Sequence, residues 1–134
     1  PVRIGAEGAP VYCLREDAEV FERIDGESAA STPMPGREND VRLLAPLDPL
    51  VYDRELARRI WDFDYTWEVY TPPAKRVRGY YALPVLAGTD IGGHVDPKAE
   101  RETGRRRVVG RRVRRGVPSA PAVRELAAFL GLEA

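Results

Sequence analysis

The chain has 134 residues, with 21 basic and 21 acidic side chains and a formal net charge of zero. Its composition of 43% apolar and 31% charged residues excludes a wholly disordered chain and fits one domain with a sizeable core. No stretch approaches the ~20 apolar residues that span a bilayer, and the N-terminus lacks the basic start and apolar core of a signal peptide.

The first 40 residues are predicted to form two segments, a folded element and a loop or linker. Apolar spacing predicts a short helix over residues 15–24, and we interpret residues 1–24 as the end of a preceding winged-helix or hairpin element. Residues 25–40 are small, polar and rich in Pro and Gly, which indicates a loop or linker. Residues 41–134 then form the main module.

The main module starts with a predicted helix. Asp53 is a natural N-cap for it, and Leu56, Ile60 and Phe63 recur at the spacing of one helical face. A second helix is predicted from about residue 121 to residue 130. Between the two helices, the composition favours strands.

Alternating apolar residues predict a half-buried strand over 66–70. Residues 79–88 predict another strand, in which Pro84 indicates a sheet edge or a bulge. Turns are predicted at 88–90 and 102–104. Strands in series with a few helices indicate an α+β fold with an antiparallel sheet.

Charge is segregated along the chain. Residues 1–64 carry 8 basic and 14 acidic side chains, whereas residues 65–134 carry 13 basic and 7 acidic. Within residues 98–115, nine basic side chains stand against Glu100 and Glu102. This asymmetry indicates a polyanion partner, or else one half that screens the other.

One short segment places Lys75, Arg76 and Arg78 just before Tyr80 and Tyr81. Basic side chains neutralise phosphates, and aromatic faces stack on bases or sugars. The segment therefore predicts a nucleic-acid contact. The alternative is a solvated turn with both tyrosines in the core.

The densest basic run spans residues 105–115. As a strand, its alternation places Arg105, Arg107 and Arg111 on one face. Because both faces carry arginines, the run predicts an edge strand or a hairpin arm that suits a DNA groove or phosphate backbone. The alternative is an edge strand protected from aggregation by its charge.

The remaining polar residues predict structural roles. His94 and Asp96 lie two residues apart on a presumed strand and are interpreted as a pair that fixes the strand, because a metal site needs further ligands. Asp48 and Asp53 are interpreted as turn and capping residues rather than as an acid–base pair. We expect no metal, no cofactor and no catalytic residue in this chain.

Residues 43–101 contain a series of short motifs in a fixed order. They are Leu43-Leu44-x-Pro46-x-Asp48-Pro49-Leu50, Tyr52-Asp53-Arg54, Phe63-Asp64-Tyr65, Glu68-x-Tyr70, Pro73-Ala74-Lys75-Arg76, Gly79-Tyr80-Tyr81-x-Leu83-Pro84 and Val95-Asp96-x-Lys98. In this order they resemble the C-terminal part of the winged-helix DNA glycosylases of the YcaQ/AlkZ type, a crosslink-repair family.

The resemblance implies a fold and a function. The fold would be α+β, the tail of a winged-helix array plus a partly barrel-like antiparallel sheet with flanking short helices. The function would be DNA binding and scaffolding for a DNA-repair glycosylase that excises alkylated or crosslinked bases. The expected partners are duplex DNA and the N-terminal remainder of the same protein, with no membrane.

The charge, aromatic and capping patterns, together with the resemblance, select the site residues. The predicted DNA-binding residues are Lys75, Arg76, Arg78, Tyr80, Tyr81, His94, Lys98, Arg101, Arg105, Arg107, Arg111 and Arg112. The residues predicted to cap or support the fold are Asp48, Asp53, Arg54, Glu68 and Asp96.

The chain departs from the family pattern in two places. Family members commonly have Arg where His94 stands and another residue where Pro97 stands. The family's catalytic signature is a pair of glutamines one residue apart, and this chain contains no Gln. Since the chain also begins at Pro1 without an initiator Met, we expect it to be the C-terminal part of a longer protein.

Two alternatives stay open. A non-enzymatic winged-helix DNA-binding or regulatory protein would share the fold, because fold does not determine function. The second alternative is a β-rich scaffold in which the arginine arm pairs with the acidic first half. Such pairing would leave little positive electrostatic field to attract DNA. The lone Cys13 cannot form an internal disulfide, which favours a reducing compartment, and we expect a bacterial cytoplasmic location.

Overall fold

A computed structural model describes residues 10–20 and 40–132 of the chain. The chain divides into two compact units, Pro1–Met34 and Pro35–Ala134. In the first unit, a 3-10 helix at Arg15–Asp17 continues as helix to residue 20. The rest of the predicted helix, and the predicted linker up to residue 39, lie outside the described residues.

The second unit contains four strands, three α-helices and one 3-10 helix. In chain order these are β1 (Val41–Leu43), α1 (Pro49–Tyr52), α2 (Arg54–Trp61), the 3-10 helix (Pro73–Lys75), β2 (Leu83–Ala87), β3 (Asp90–Glu100), β4 (Arg105–Val113) and α3 (Ser119–Phe129).

The four strands form one antiparallel sheet in the order β1-β2-β3-β4. The predicted α+β class, with an antiparallel sheet and short flanking helices, is therefore confirmed. The sheet is not closed into a barrel, because β1 and β4 remain its two edges. To close the sheet into a barrel, the edge strands β1 and β4 would have to pair with each other.

The outer halves of β3 and β4 extend beyond the rest of the sheet. Leu83, the first residue of β2, pairs with Val95, so residues 97–100 of β3 pair with β4 alone. The two strands thus form a two-stranded arm, called the β3–β4 hairpin (residues 90–113). The predicted position of the basic run on an edge strand is confirmed.

Short helices begin where acidic side chains cap them. Asp48 accepts the N–H of Leu50 at 3.0 Å at the start of α1, and Asp53 accepts the N–H of Leu56 at 2.9 Å at the start of α2. Such caps satisfy backbone donors that have no partner inside the helix. Arg54, the first residue of α2, has an exposed side chain.

The predicted apolar face of α2 is wrong. The helix ends at Trp61, before Phe63, and Ile60 is exposed while Ala57 is buried. Asp62 follows with a left-handed backbone (φ 50°), which turns the chain away from the helix axis. Helix propensity alone does not predict such an early end.

The sheet is covered on both faces. On one face, Val85 and Val95 pack against Val123 of α3. On the other, Ile91 packs with Val51 of α1 and with Tyr65. Fully burying a valine contributes roughly 1.5–3 kcal/mol, so the two clusters hold α3 and the α1–α2 pair to opposite faces of the sheet.

The predicted strand over 66–70 is wrong, because residues 62–68 are irregular and residues 69–70 form a turn. In a strand, Trp67 and Val69 would lie on one face and Glu68 on the other. Instead Glu68 is buried, with 5% of its surface exposed, because its carboxylate binds backbone N–H groups. A buried polar group is tolerated when hydrogen bonds replace water.

Pro84 lies in β2, an interior strand, so the predicted edge position is wrong. The alternative of a bulge fits better, because the register between β2 and β3 shifts between Val85 and Leu86. None of the helices in residues 10–20 and 40–132 has the length and apolar character needed to cross a membrane.

Candidate nucleic-acid interface

The register of the β3–β4 hairpin contains a bulge. Asp96 pairs with Gly110 and Pro97 pairs with Val108, which leaves Val109 without a partner in β3. An extra residue in one strand shifts the alternation of side chains beyond it. The faces of β4 therefore differ from those that simple alternation predicts.

The bulge changes which arginines lie together. Cross-strand partners share a face of the sheet, so Arg105 and Arg107 share a face with Arg112, which pairs with His94. Arg111 pairs with Val95 and lies on the opposite face. The prediction that Arg111 shares a face with Arg105 and Arg107 is therefore wrong.

Four arginines of β4 present exposed side chains, namely Arg105, Arg107, Arg111 and Arg112. In the part of the chain that the structure describes, none of the four forms an ion pair. Unpaired guanidinium groups on an exposed strand create a positive field that attracts polyanions.

Several other arginines, by contrast, are paired with carboxylates. The pairs are Arg42–Asp40, Arg58–Glu55, Arg58–Asp64, Arg78–Asp64, Arg78–Glu68 and Arg114–Asp90. Among these described pairs, only Arg78–Asp64 joins the acidic first half to the basic second half. The alternative in which the arginine arm pairs with the acidic half finds no support in residues 10–20 and 40–132.

Residues 76–81, called the tyrosine loop, are held by the buried carboxylate of Glu68. Its oxygens accept the backbone N–H groups of Val77, Arg78 and Gly79 at 2.8–3.1 Å. Burial acts to raise the pKa of Glu68, but these N–H groups and the Arg78 guanidinium outweigh it and lower that pKa. Glu68 is therefore a carboxylate anion at neutral pH that fixes the loop.

Asp96 on β3 fixes the end of the same loop. Its two oxygens accept the backbone N–H groups of Tyr80 and Tyr81 at 3.0 and 3.1 Å. The rings themselves are exposed, by 54% for Tyr80 and 42% for Tyr81. The alternative that placed both tyrosines in the core is therefore wrong, and the interpretation of Asp96 as the partner of His94 is replaced by these backbone contacts.

Arg76 and Arg78 differ in what they bind. Arg78 is 16% exposed, and its guanidinium donates to the backbone oxygen of Asp64 at 2.6 Å and to its carboxylate at 3.1 Å. Arg76 donates to the backbone oxygen of Thr71 at 2.8 Å and lies over the ring of Tyr80, 4.9 Å from its centroid. This cation–π contact orients the Tyr80 ring.

His94 is buried in the sheet, with 7% of its surface exposed. Burial lowers the pKa of its imidazole below the usual value of 6.5, and the positive charges of Arg78 and Arg112 lower it further. His94 is therefore neutral at pH 7 and supplies no cation to the predicted DNA-binding surface.

Of the remaining predicted cations, two line one cavity and the third does not. Lys98 and Arg101 are exposed and line a cavity of about 880 Å³ together with Arg76 and Tyr80. Lys75 is exposed at the end of the 3-10 helix and does not line that cavity. The structure thus brings the tyrosine loop and the hairpin together, and Asp96 of the hairpin contacts Tyr81 although the two are 15 residues apart in sequence.

Two contributing residues were missed by sequence reasoning. Arg106 lines the cavity, but strand alternation in a run of arginines does not distinguish it from its neighbours. Asp64 binds Arg78, and its place in the Phe63-Asp64-Tyr65 motif was the one available signal. Within the described residues, no group of three His, Cys, Asp or Glu side chains could hold a metal ion.

The protein is an α+β protein with an open antiparallel sheet, an arginine-rich hairpin and an aromatic loop that Glu68 and Asp96 anchor, and unpaired arginines of this kind attract polyanions. Residues 2–131 match the family model described as DNA glycosylase AlkZ-like. The chain belongs to this AlkZ-like DNA glycosylase family, so its role is related to DNA repair and its partner is DNA. No solved structure matches the chain significantly.

Proposed function

We propose that this chain holds duplex DNA for a glycosylase reaction whose catalytic glutamines lie outside these 134 residues. The DNA would carry alkylated or crosslinked bases, as the family resemblance implies. The single observation that carries the proposal is the set of exposed, unpaired arginines on β4. The β3–β4 hairpin presents them on a two-stranded arm.

The arrangement suits the phosphate backbone more than individual base edges. Arg105, Arg107 and Arg112 lie on one face of the hairpin, with Lys98 of β3 on the same face. Residues two apart in a strand are separated by about 6.6 Å, close to the phosphate spacing along one DNA strand. Such contacts position a protein on DNA without reading sequence.

Base excision needs an activated water and stabilisation of a positively charged sugar. This chain contains no Gln, so it lacks the residue pair that the family resemblance assigns to that chemistry. The chain's carboxylates Glu68 and Asp96 are occupied by backbone N–H groups. We therefore assign binding, and not bond cleavage, to these residues.

The test is duplex binding by the chain at several salt concentrations. Arg105→Ala with Arg107→Ala removes two phosphate contacts, so the slope of log K against log salt should fall by about two. The matched control is Arg42→Ala with Arg58→Ala, which removes two arginines already paired with carboxylates. An equal change in both double variants would refute the hairpin as the DNA contact.

A second measurement addresses the chemistry. The chain is incubated with duplexes that contain an alkylated purine or an interstrand crosslink, followed by alkali to reveal abasic sites. We expect binding without abasic product. Abasic product from the chain alone would show that the catalytic residues are among these 134 residues. It would contradict the proposal that this chain binds DNA without cleaving the base.

A further inference from the structure

One cavity of the second unit combines features that the phosphate contacts of β4 do not use. It has a volume of about 880 Å³, within the range of small-ligand sites. Its walls come from the tyrosine loop, from the outer half of the hairpin and from the end of α3. The polar and aromatic lining residues are Arg76, Tyr80, Tyr81, Asp96, Lys98, Arg101 and Arg106.

The charge of the cavity favours an anion. Four cationic side chains line it, and the one lining carboxylate, that of Asp96, already accepts two backbone N–H groups. Arg106 adds a specific donor, because its Nε is buried and has no hydrogen-bond partner among the described residues. An unsatisfied buried donor is unfavourable, and a shift of the Arg106 side chain toward a bound anion would let an anion oxygen satisfy it.

The walls of the cavity also favour a planar aromatic group. The rings of Tyr80 and Tyr81 are exposed, while their backbone is fixed by Asp96. Arg76 lies against the Tyr80 ring, and Trp67 contacts the Tyr81 ring edge-on with 6.1 Å between centroids. Rings held in this way offer a stacking surface with little entropy left to lose.

We propose that this cavity binds one unpaired nucleotide of a DNA strand. The base would stack on the tyrosines, and its phosphate would bind Arg106, Lys98 and Arg101. A nucleotide combines an anionic phosphate, which the cationic side chains of the cavity favour, with a planar base, which its tyrosine rings favour. The inference rests on the proposed function, because it takes DNA as the partner and assigns a second contact to it.

The first test compares two duplexes of the same sequence, one blunt and one with a single unpaired nucleotide at a 3′ end. Stacking on an aromatic side chain is worth ~1–3 kcal/mol per base, so the overhang duplex should bind at least about five-fold more tightly. Tyr80→Ala should abolish this difference. Tyr70→Ala, which removes an exposed tyrosine outside the cavity, should preserve it.

The same comparison separates this inference from the proposed function. Arg105→Ala with Arg107→Ala should weaken both duplexes equally and leave their ratio unchanged, because neither residue lines the cavity. Equal binding of the two duplexes by the unaltered chain overturns the inference while the proposed function stands. If the unaltered chain binds neither duplex, the proposed function is refuted, and the titration with the free nucleotide tests the inference.

The second test titrates the chain with deoxyadenosine 5′-monophosphate, deoxyadenosine and inorganic phosphate, with the amide NMR signals of Tyr80 and Tyr81 as the readout. The monophosphate should bind at least about ten-fold more tightly than either part alone. Lys98→Ala should weaken it, whereas Lys75→Ala, a lysine outside the cavity, should not. Equal binding of inorganic phosphate, or no shift with the monophosphate, overturns the inference.

Discussion

The buried carboxylate of Glu68 accepts the backbone N–H of Arg78 at 2.8 Å and lies 3.7 Å from the guanidinium of the same residue. The carboxylate therefore fixes the main chain of the tyrosine loop, while Arg78 is drawn away from solvent toward Glu68 and Asp64. Glu68 thus holds the first part of the loop that presents Tyr80 and Arg76, and Asp96 holds its end.

Glu68→Gln should lower the free energy of unfolding by about 2–4 kcal/mol, because hydrogen bonds to a charged group are strong and the new amide places a donor against backbone donors. Chemical denaturation measures the loss. The control is Glu55→Gln, an exposed carboxylate paired with Arg58, which should cost less than about 0.5 kcal/mol. Similar losses in both variants would contradict the anchoring role of Glu68.

His94 should make the fold less stable as the pH falls below about 6.5. Its pKa is lowered in the folded state, so the unfolded state binds the proton more readily and gains stability as the solution is acidified. For one group the slope reaches at most about 1.4 kcal/mol per pH unit. Since the chain has one histidine, its NMR titration reports this pKa directly.

The His94→Asn variant provides the control for that pH dependence. Its free energy of unfolding should change less between pH 6.5 and pH 5 than that of the unaltered chain. The lowered pKa of Glu68 acts in a separate window below its usual 4.5, where stability is lost as the carboxylate is protonated. An imidazole that titrates at or above 6.5 would refute the buried, neutral state of His94.

Gly79→Ala should destabilise the fold by at least about 2 kcal/mol. The backbone of Gly79 has φ 131°, which side-chain-bearing residues rarely adopt, and an added Cβ would overlap the carboxylate of Asp96. Gly104→Ala is the control, because its φ of 67° carries strain but nothing lies within 4 Å. We expect a loss of about 1 kcal/mol there, and thermal denaturation distinguishes the two.

Tyr65→Phe should cost about 1–2 kcal/mol, because the hydroxyl donates to the backbone oxygen of Ala82 at 2.7 Å in the core. Tyr70→Phe, at a site 91% exposed, should have no measurable effect. Burial also raises the pKa of Tyr65 to about 12. In an absorbance titration of the folded chain, one tyrosine should therefore ionise near pH 12, and Tyr65→Phe should remove that step.

Local features of this protein were readable from its sequence. Asp48 and Asp53 precede short helices and cap them, and the turns at 88–90 and 102–104 separate strands as their glycines indicate. The edge position of the basic run also followed from the sequence, because arginines on both faces of a strand exclude a central place in a sheet. These features depend on a residue and its near neighbours.

Features that depend on contacts between residues far apart in the chain could not be predicted from the sequence. The alternation at 66–70 has the pattern of a strand, yet Glu68 is buried because backbone donors from residues 77–79 come to it from outside the segment. The bulge at Val109 arises from pairing with β3 and moves Arg111 to the other face. Gly110 beside the bulge is a local signal of an irregular strand, but it does not show which arginines change face.

The sequence by itself determined the family, the α+β class and the concentration of cations in residues 98–115, because motif order, periodicity and charge are properties of the chain. Tertiary structure decided which cations are free. Arg78 and Arg114 are bound to Asp64 and Asp90, whereas the four exposed arginines of β4 have no ion-pair partner among the described residues. The number of charged residues follows from the sequence, but the carboxylate with which each arginine pairs depends on distances in the folded chain.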